Sequence, residues 1–280
     1  MGPVRYLRRQ ITASCSRIKG SGLDSEIPVK LLGQSGCRLQ LGKSVIYIDP
    51  YLSNSVQELD SADLVRLTPI LIDPDNIRDA NWVLITHDHI DHCDPHTLPR
   101  IAAASPNCMF IGPSTVLANL ATWGVPVERL LALEKGWMRL ADGLQLHHVP
   151  AAHPEIDIDQ RGLPKCVGYV IEYQEKRMYF AGDTGLCDEL VDALIRLSPL
   201  DTAFLPVNEQ NYFRRKHGII GNMSVREAFG LAQVLGIKQV VPVHWDMFIS
   251  NSVFKEEIEV IHEKMDMGFR LLMNPDILEL

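Results

Sequence analysis

Several things are missing from this chain, and each absence narrows what it can be. No run reaches the roughly 18 consecutive apolar residues that a spanning helix needs, so no helical membrane protein is expected. Six cysteines (15, 37, 93, 108, 166 and 187) never fall in C-x-x-C spacing, which argues against a zinc-thiolate finger and a disulfide framework and fits a reducing cytoplasm. There is no G-x-G-x-x-G fingerprint for a dinucleotide or flavin. Acidic residues are absent from residues 1–23, which carry Arg5, Arg8, Arg9, Arg17 and Lys19. The remainder is therefore more acidic than the overall net charge of −8, and a poor generic binder of nucleic acid. The Arg-rich leader has the composition of a transit peptide or a docking arm.

What is present reads as one globular unit. With 46% hydrophobic and 22% charged residues in 280, the expected division is a basic N-terminal arm over 1–25 and a single domain over 26–280. Short apolar runs bounded by Gly, Pro, Asn or Asp predict strands at Val29–Leu32, Cys37–Leu41, Val45–Ile48, Trp82–Thr86, Met109–Ile111, Leu144–Val149, Cys166–Ile171, Met178–Ala181, Thr202–Leu205 and Gln239–Val243. Helices are predicted at Ser114–Trp123, Leu186–Leu197, Ser224–Leu235 and Phe254–Met265, the third opening with Ser224 and Glu227 in capping-box spacing. The stretches 54–79 and 152–164 read as long loops that could line a site.

The chemistry concentrates after the strand ending at Thr86, in His87-Asp88-His89-Ile90-Asp91-His92. Three imidazoles and two carboxylates on one short turn would repel one another or lie unpaired unless a cation joins them. Alternation turns His87 and His89 toward one ion, and the following turn swings Asp91 and His92 toward a second. Downstream, His153, Asp183 and His244 each follow an apolar strand. Cys93 abuts the cluster and is expected to be a buried apolar residue, since it lacks a free histidine base.

In this order the motifs resemble the metallo-β-lactamase-fold hydrolases: Asp49 in Tyr47-Ile48-Asp49-Pro50, then the His87 cluster, His153, Asp183 and His244. The segments 73–78, 86–89, 110–113, 123–126, 222–224 and 240–246 look like the ascorbate-6-phosphate lactonase branch, although the acidic stretch after His153 departs from it. The resemblance implies an α/β, four-layer αβ/βα sandwich of two mixed sheets flanked by helices. It implies two divalent metal ions, zinc first, with manganese or iron as alternatives. His87, His89 and His153 would hold the first ion, Asp91, His92 and His244 the second, with Asp183 bridging and Asp49 orienting the ligands from behind.

Two such ions suit hydrolysis, with Asp91 and Asp183 as the catalytic carboxylates. The expected substrate is a small ester-like molecule, such as a phosphorylated sugar lactone. Phosphodiester cleavage is the alternative, and a non-hydrolytic iron or redox role the third. Asn208, Arg214, Arg215, His217 and Asn222, with Lys216, are candidate substrate contacts, the cations suiting an anionic group. No nucleic acid and no membrane partner is expected, and a homo-oligomer is compatible with the sequence.

Overall fold

The computed structural model describes residues 26–279; the basic arm predicted at 1–25 lies outside the described residues. Fourteen strands are described: β1 Glu26–Gly33, β2 Gly36–Leu41, β3 Ser44–Ile48, β4 Trp82–Leu84, β5 Met109–Gly112, β6 Leu130–Ala132, β7 Met138–Ala141, β8 Leu144–Pro150, β9 Val167–Tyr173, β10 Lys176–Phe180, β11 Thr202–Pro206, β12 Gln239–Val243, β13 Arg270–Leu271 and β14 Ile277–Glu279. They form two seven-stranded sheets, ordered β14-β1-β2-β3-β4-β5-β6 and β13-β12-β11-β10-β9-β8-β7. Each sheet opens as an antiparallel meander and ends in parallel strands, β3 to β6 in one and β10 to β13 in the other. β11 and β12 are buried along their whole length, which is why they read as unbroken apolar runs rather than alternating ones.

The inner faces meet in a core that includes Leu39, Ile46 and Ile48 from one sheet and Tyr169, Met178 and Val241 from the other. Burying each such side chain contributes about 1.5–3 kcal/mol, so this layer largely fixes how the sheets sit. Outside it, α1 Leu98–Ala104 and α2 Ser114–Thr122 cover the first sheet through Ile101, Val116 and Leu120. On the second sheet lie α3 Asp188–Leu197, α5 Val225–Leu235 and α6 Lys255–Met265, packing Leu194, Phe229 and Ile258. The short α4, Tyr212–Lys216, precedes α5. The result is the four-layer αβ/βα sandwich expected from the sequence.

All ten predicted strands and four predicted helices are found, α5 with the Ser224–Glu227 capping box in place. The sequence reading missed α1, whose Pro99 looks like punctuation but sits in the first turn, where a missing N–H costs nothing. It also read α4 as loop. Among the described residues, no helix is long and apolar enough to cross a membrane.

Candidate metal centre

Side-chain donors gather where β3, β4, β10 and β12 end. After β3 the chain turns through Asp49 in a left-handed conformation (φ 41°), which Asp tolerates better than most residues. The Asp49 carboxylate is fully buried and accepts three hydrogen bonds: from the Thr86 N–H (2.8 Å), the Thr86 hydroxyl (2.7 Å) and His92 Nδ1 (2.8 Å). Because the Thr86 hydroxyl donates to Asp49, it accepts from His87 Nδ1–H at 3.0 Å. Both His87 and His92 are thereby engaged through Nδ1, which leaves Nε2 of each ring turned toward the cluster, the orientation a ligand histidine needs.

The downstream donors arrive on backbone that is itself tied to this frame. Gly182, φ +61°, turns the chain after β10 to deliver Asp183 and rests against Thr86; a Cβ there would lie 2.7 Å from Thr86 Cβ. Gly182→Ala is therefore expected to destabilise the fold by about 1–3 kcal/mol and to disturb the Thr86–Asp49 contact, as urea unfolding would show. The Ala152 N–H donates to the Thr184 hydroxyl oxygen (3.0 Å), and the Ala152 carbonyl accepts from the Gly185 N–H (2.8 Å), which registers His153 against Asp183. His244 follows β12 at φ 60°, its N–H donating to the Gln34 carbonyl (3.0 Å) in the β1–β2 turn.

The donor atoms fall into three overlapping groups, each within 4.8 Å: His87, His89 and His153; Asp91, His92 and His244; and His87, His92 and Asp183. The first two bring together the same residues that the family resemblance assigns to each ion. Asp183 lies between them, with Oδ2 3.2 Å from His244 Nε2 and 3.6 Å from His153 Nε2, and Oδ1 3.3 Å from His92 Nε2. The electrostatics are those of a place that needs positive charge. For His92 and His244 burial disfavours the charged ring, but Asp183 and Asp91 outweigh it and raise both, His244 to about 9. Burial likewise opposes ionisation of Asp91 and Asp183, yet the neighbouring imidazoles hold both well below the usual carboxylate range. His87 and His153 move the other way, chiefly through burial, His153 to about 4, and so are neutral donors.

The residues present fit divalent ions on a further observation. His87 Nε2, His92 Nε2, His153 Nδ1, His244 Nδ1 and Asp183 Oδ1 are all buried without a hydrogen-bond partner. Three of these, His87 Nε2, His92 Nε2 and Asp183 Oδ1, belong to one group of converging donors, and leaving them orphaned there would be costly unless a cation satisfies them. The set is imidazole and carboxylate with no thiolate, which suits zinc, manganese or iron.

Three contributors escaped the sequence reading. Gln34 donates from Nε2 to Asp91 Oδ2 (2.6 Å) and lies 3.1 Å from His244 Nε2; its signal was a lone Gln in a glycine-bounded turn. Thr86 sat unnoticed beside His87. Asp94 pins the cluster's far end, accepting from the Ser53 hydroxyl (2.7 Å) and the His96 N–H (2.8 Å).

The tentative substrate contacts are not joined to this cluster. Arg214 is engaged by backbone carbonyls of Asn208, Glu209 (2.7 Å), Ser250 and Ser252 (2.7 Å), holding α4 to the 249–252 turn. Asn222 donates to Asn208 (2.8 Å), which donates to Asn251 (2.9 Å). Arg215, Lys216 and His217 are exposed. Cys93 is 2% exposed in the core beneath α1, and burial pushes its thiol up to about 12, the opposite of a nucleophile.

Comparison with known proteins agrees with the geometry. Residues 45–245 match the family described as the Beta-lactamase superfamily domain. A UPF0173 metal-dependent hydrolase of Pyrobaculum islandicum is 29% identical over 221 residues, 79% of this chain and 84% of that protein. Among solved structures, Igni18, a metallo hydrolase from Ignicoccus hospitalis, superposes with a TM-score of 0.67 at 21% identity, covering 91% of this chain and 98% of the other. An isothiocyanate hydrolase from Delia radicum gut bacteria gives 0.71 at 16% identity, covering 91% and 98%. At these identities the structural matches speak for the fold.

Proposed function

Because the chain belongs to the Beta-lactamase superfamily domain family, we propose that the donor cluster holds two divalent ions and that the protein is a metal-dependent hydrolase of a small ester-like substrate. The observation that carries this reading is the convergence of two three-residue donor groups on either side of Asp183, with His87 Nε2, His92 Nε2 and Asp183 Oδ1 otherwise unpartnered. Zinc is the first candidate and manganese or iron the next.

Bound divalent ions supply Lewis acidity, lowering the pKa of water toward neutrality and polarising the carbonyl under attack. The chain's own residues do the rest. Asp49 and Thr86 fix the tautomers of His87 and His92, so that Nε2 of each faces inward. Asp183 Oδ1, free of any hydrogen-bond partner, is placed to take up a proton from the attacking water. Asp91 is held in its inward pose by Gln34. A sugar-type lactone fits this chemistry; a phosphorylated one would look to the exposed Arg215 and Lys216, since Arg214 is committed elsewhere.

Elemental analysis of untreated protein, paired with turnover of a lactone and aryl-ester panel, tests the reading. The expected result is two divalent ions per chain, turnover abolished by EDTA and restored by zinc or manganese. Full activity in the chelated protein would sink it.

A further inference from the structure

Next to the second ligand group lies a cavity of ≈ 340 Å³, a size at which small-molecule sites begin. It exists because two edge strands stop early. β13 pairs with β12 no further than Leu271 opposite Val240, leaving Pro242 and Val243 uncovered on that edge, and Pro242 has no N–H to offer another strand. β14 pairs with β1 over Glu26–Pro28, leaving the edge at Leu31 and Leu32 open. The turn carrying Met273 and Asn274 crosses between the sheets without filling the gap, and Leu71 from the long 54–79 loop closes another side.

Two features of the wall tie this cavity to the metal centre. Gln34 lines it, and the same side chain reaches Asp91 and His244. Trp245 and Asp246, the two residues after His244, line it as well. Most of the surface is apolar, contributed by Leu31, Leu71, Pro242, Trp245 and Met273. Asp246 is the one acid on this wall. Its carboxylate makes no hydrogen bond or ion pair with another side chain among the described residues, and it lies on the wall among these apolar neighbours. Lys255, the other charged wall residue, directs its ammonium to Glu259 at 3.3 Å. A carboxylate on a largely apolar wall favours a ligand that brings a hydrogen-bond donor or a positive charge to it over one that brings an anion.

We propose that this cavity is the recognition subsite of the same centre, taking the non-reacting part of the substrate: an apolar ring or chain bearing an ammonium or other N–H donor that binds Asp246. The inference rests on the hydrolase reading for the word substrate, but the pocket's ligand chemistry can be measured without turnover.

Calorimetric titration of the metal-loaded protein with cyclohexylamine, cyclohexanol and cyclohexanecarboxylate, all at neutral pH, tests it. Cyclohexylamine should bind saturably, at least about tenfold tighter than the carboxylate, because a charge-assisted hydrogen bond is replaced by repulsion. Asp246→Asn, close in shape, should erase that preference, and Leu71→Tyr, at a half-exposed position, should weaken amine and alcohol alike. Should turnover be found, the KM advantage of an aminocyclohexyl ester over its cyclohexyl counterpart should vanish in Asp246→Asn. No saturable amine binding, or a preference that survives Asp246→Asn, overturns the pocket. If amine binding follows this pattern but no ester is turned over, the hydrolase reading fails and the pocket's ligand class stands; turnover without amine binding leaves the converse.

Discussion

Asp183→Asn is expected to lower kcat/KM on any hydrolysed ester by at least about a thousandfold while the protein stays folded, the range seen when a positioned proton acceptor is removed from a metal site. Asp183 is the carboxylate that lies between the two donor groups, within 3.2–3.6 Å of His92, His153 and His244. Asparagine keeps the shape but loses the charge that would join two cations and cannot take up a proton. Kinetics and elemental analysis of the same preparation check it: the variant should bind fewer than two ions. Activity within tenfold of the parent, with both ions retained, would remove Asp183 from the mechanism and leave the cluster a structural site.

The second large effect concerns a residue that need not touch an ion. Asp49→Ala leaves the Thr86 N–H and His92 Nδ1–H buried without an acceptor and frees the hydroxyl that orients His87. Breaking a buried charged network of this kind costs about 3–5 kcal/mol. Losing the partner that orients a ligand histidine typically lowers metal affinity about 10–100-fold. Urea unfolding and competition with a chromophoric chelator separate the two. Asp49→Asn should unfold less readily than Asp49→Ala, because its side-chain oxygen can still accept one of the three bonds, while metal affinity falls in both. If affinity is unchanged in Asp49→Asn, the carboxylate stabilises the turn without tuning the ligands.

How much of this was readable before the fold is clearest in the hexapeptide from His87. Its donors are separated by one or two residues, so local backbone geometry alone decides that they face a common point. The strand runs were equally legible because β11 and β12 are buried on both faces. Short β6, β7, β13 and β14 were not, since two to four residues carry little periodicity. α4 was hidden in a polar stretch whose Arg214 looked like an anion contact, and nothing local reveals that its guanidinium reaches backbone carbonyls some 36 and 38 residues away.

The chain's own letters determined the inventory: seven candidate ligand side chains, each just past an apolar strand, and an acid behind them at Asp49. Which of those ends would meet is a matter of sheet pairing and sheet-on-sheet packing, and packing alone set His153, Asp183 and His244 against the cluster, with Gln34 reaching both Asp91 and His244. The cavity beside Asp246 is still further from sequence, because it arises where β13 and β14 stop short, and an unfilled space is a property of the neighbours that fail to arrive. Donor identity is a local, covalent fact; convergence and emptiness are produced by hydrophobic burial acting between residues far apart along the chain.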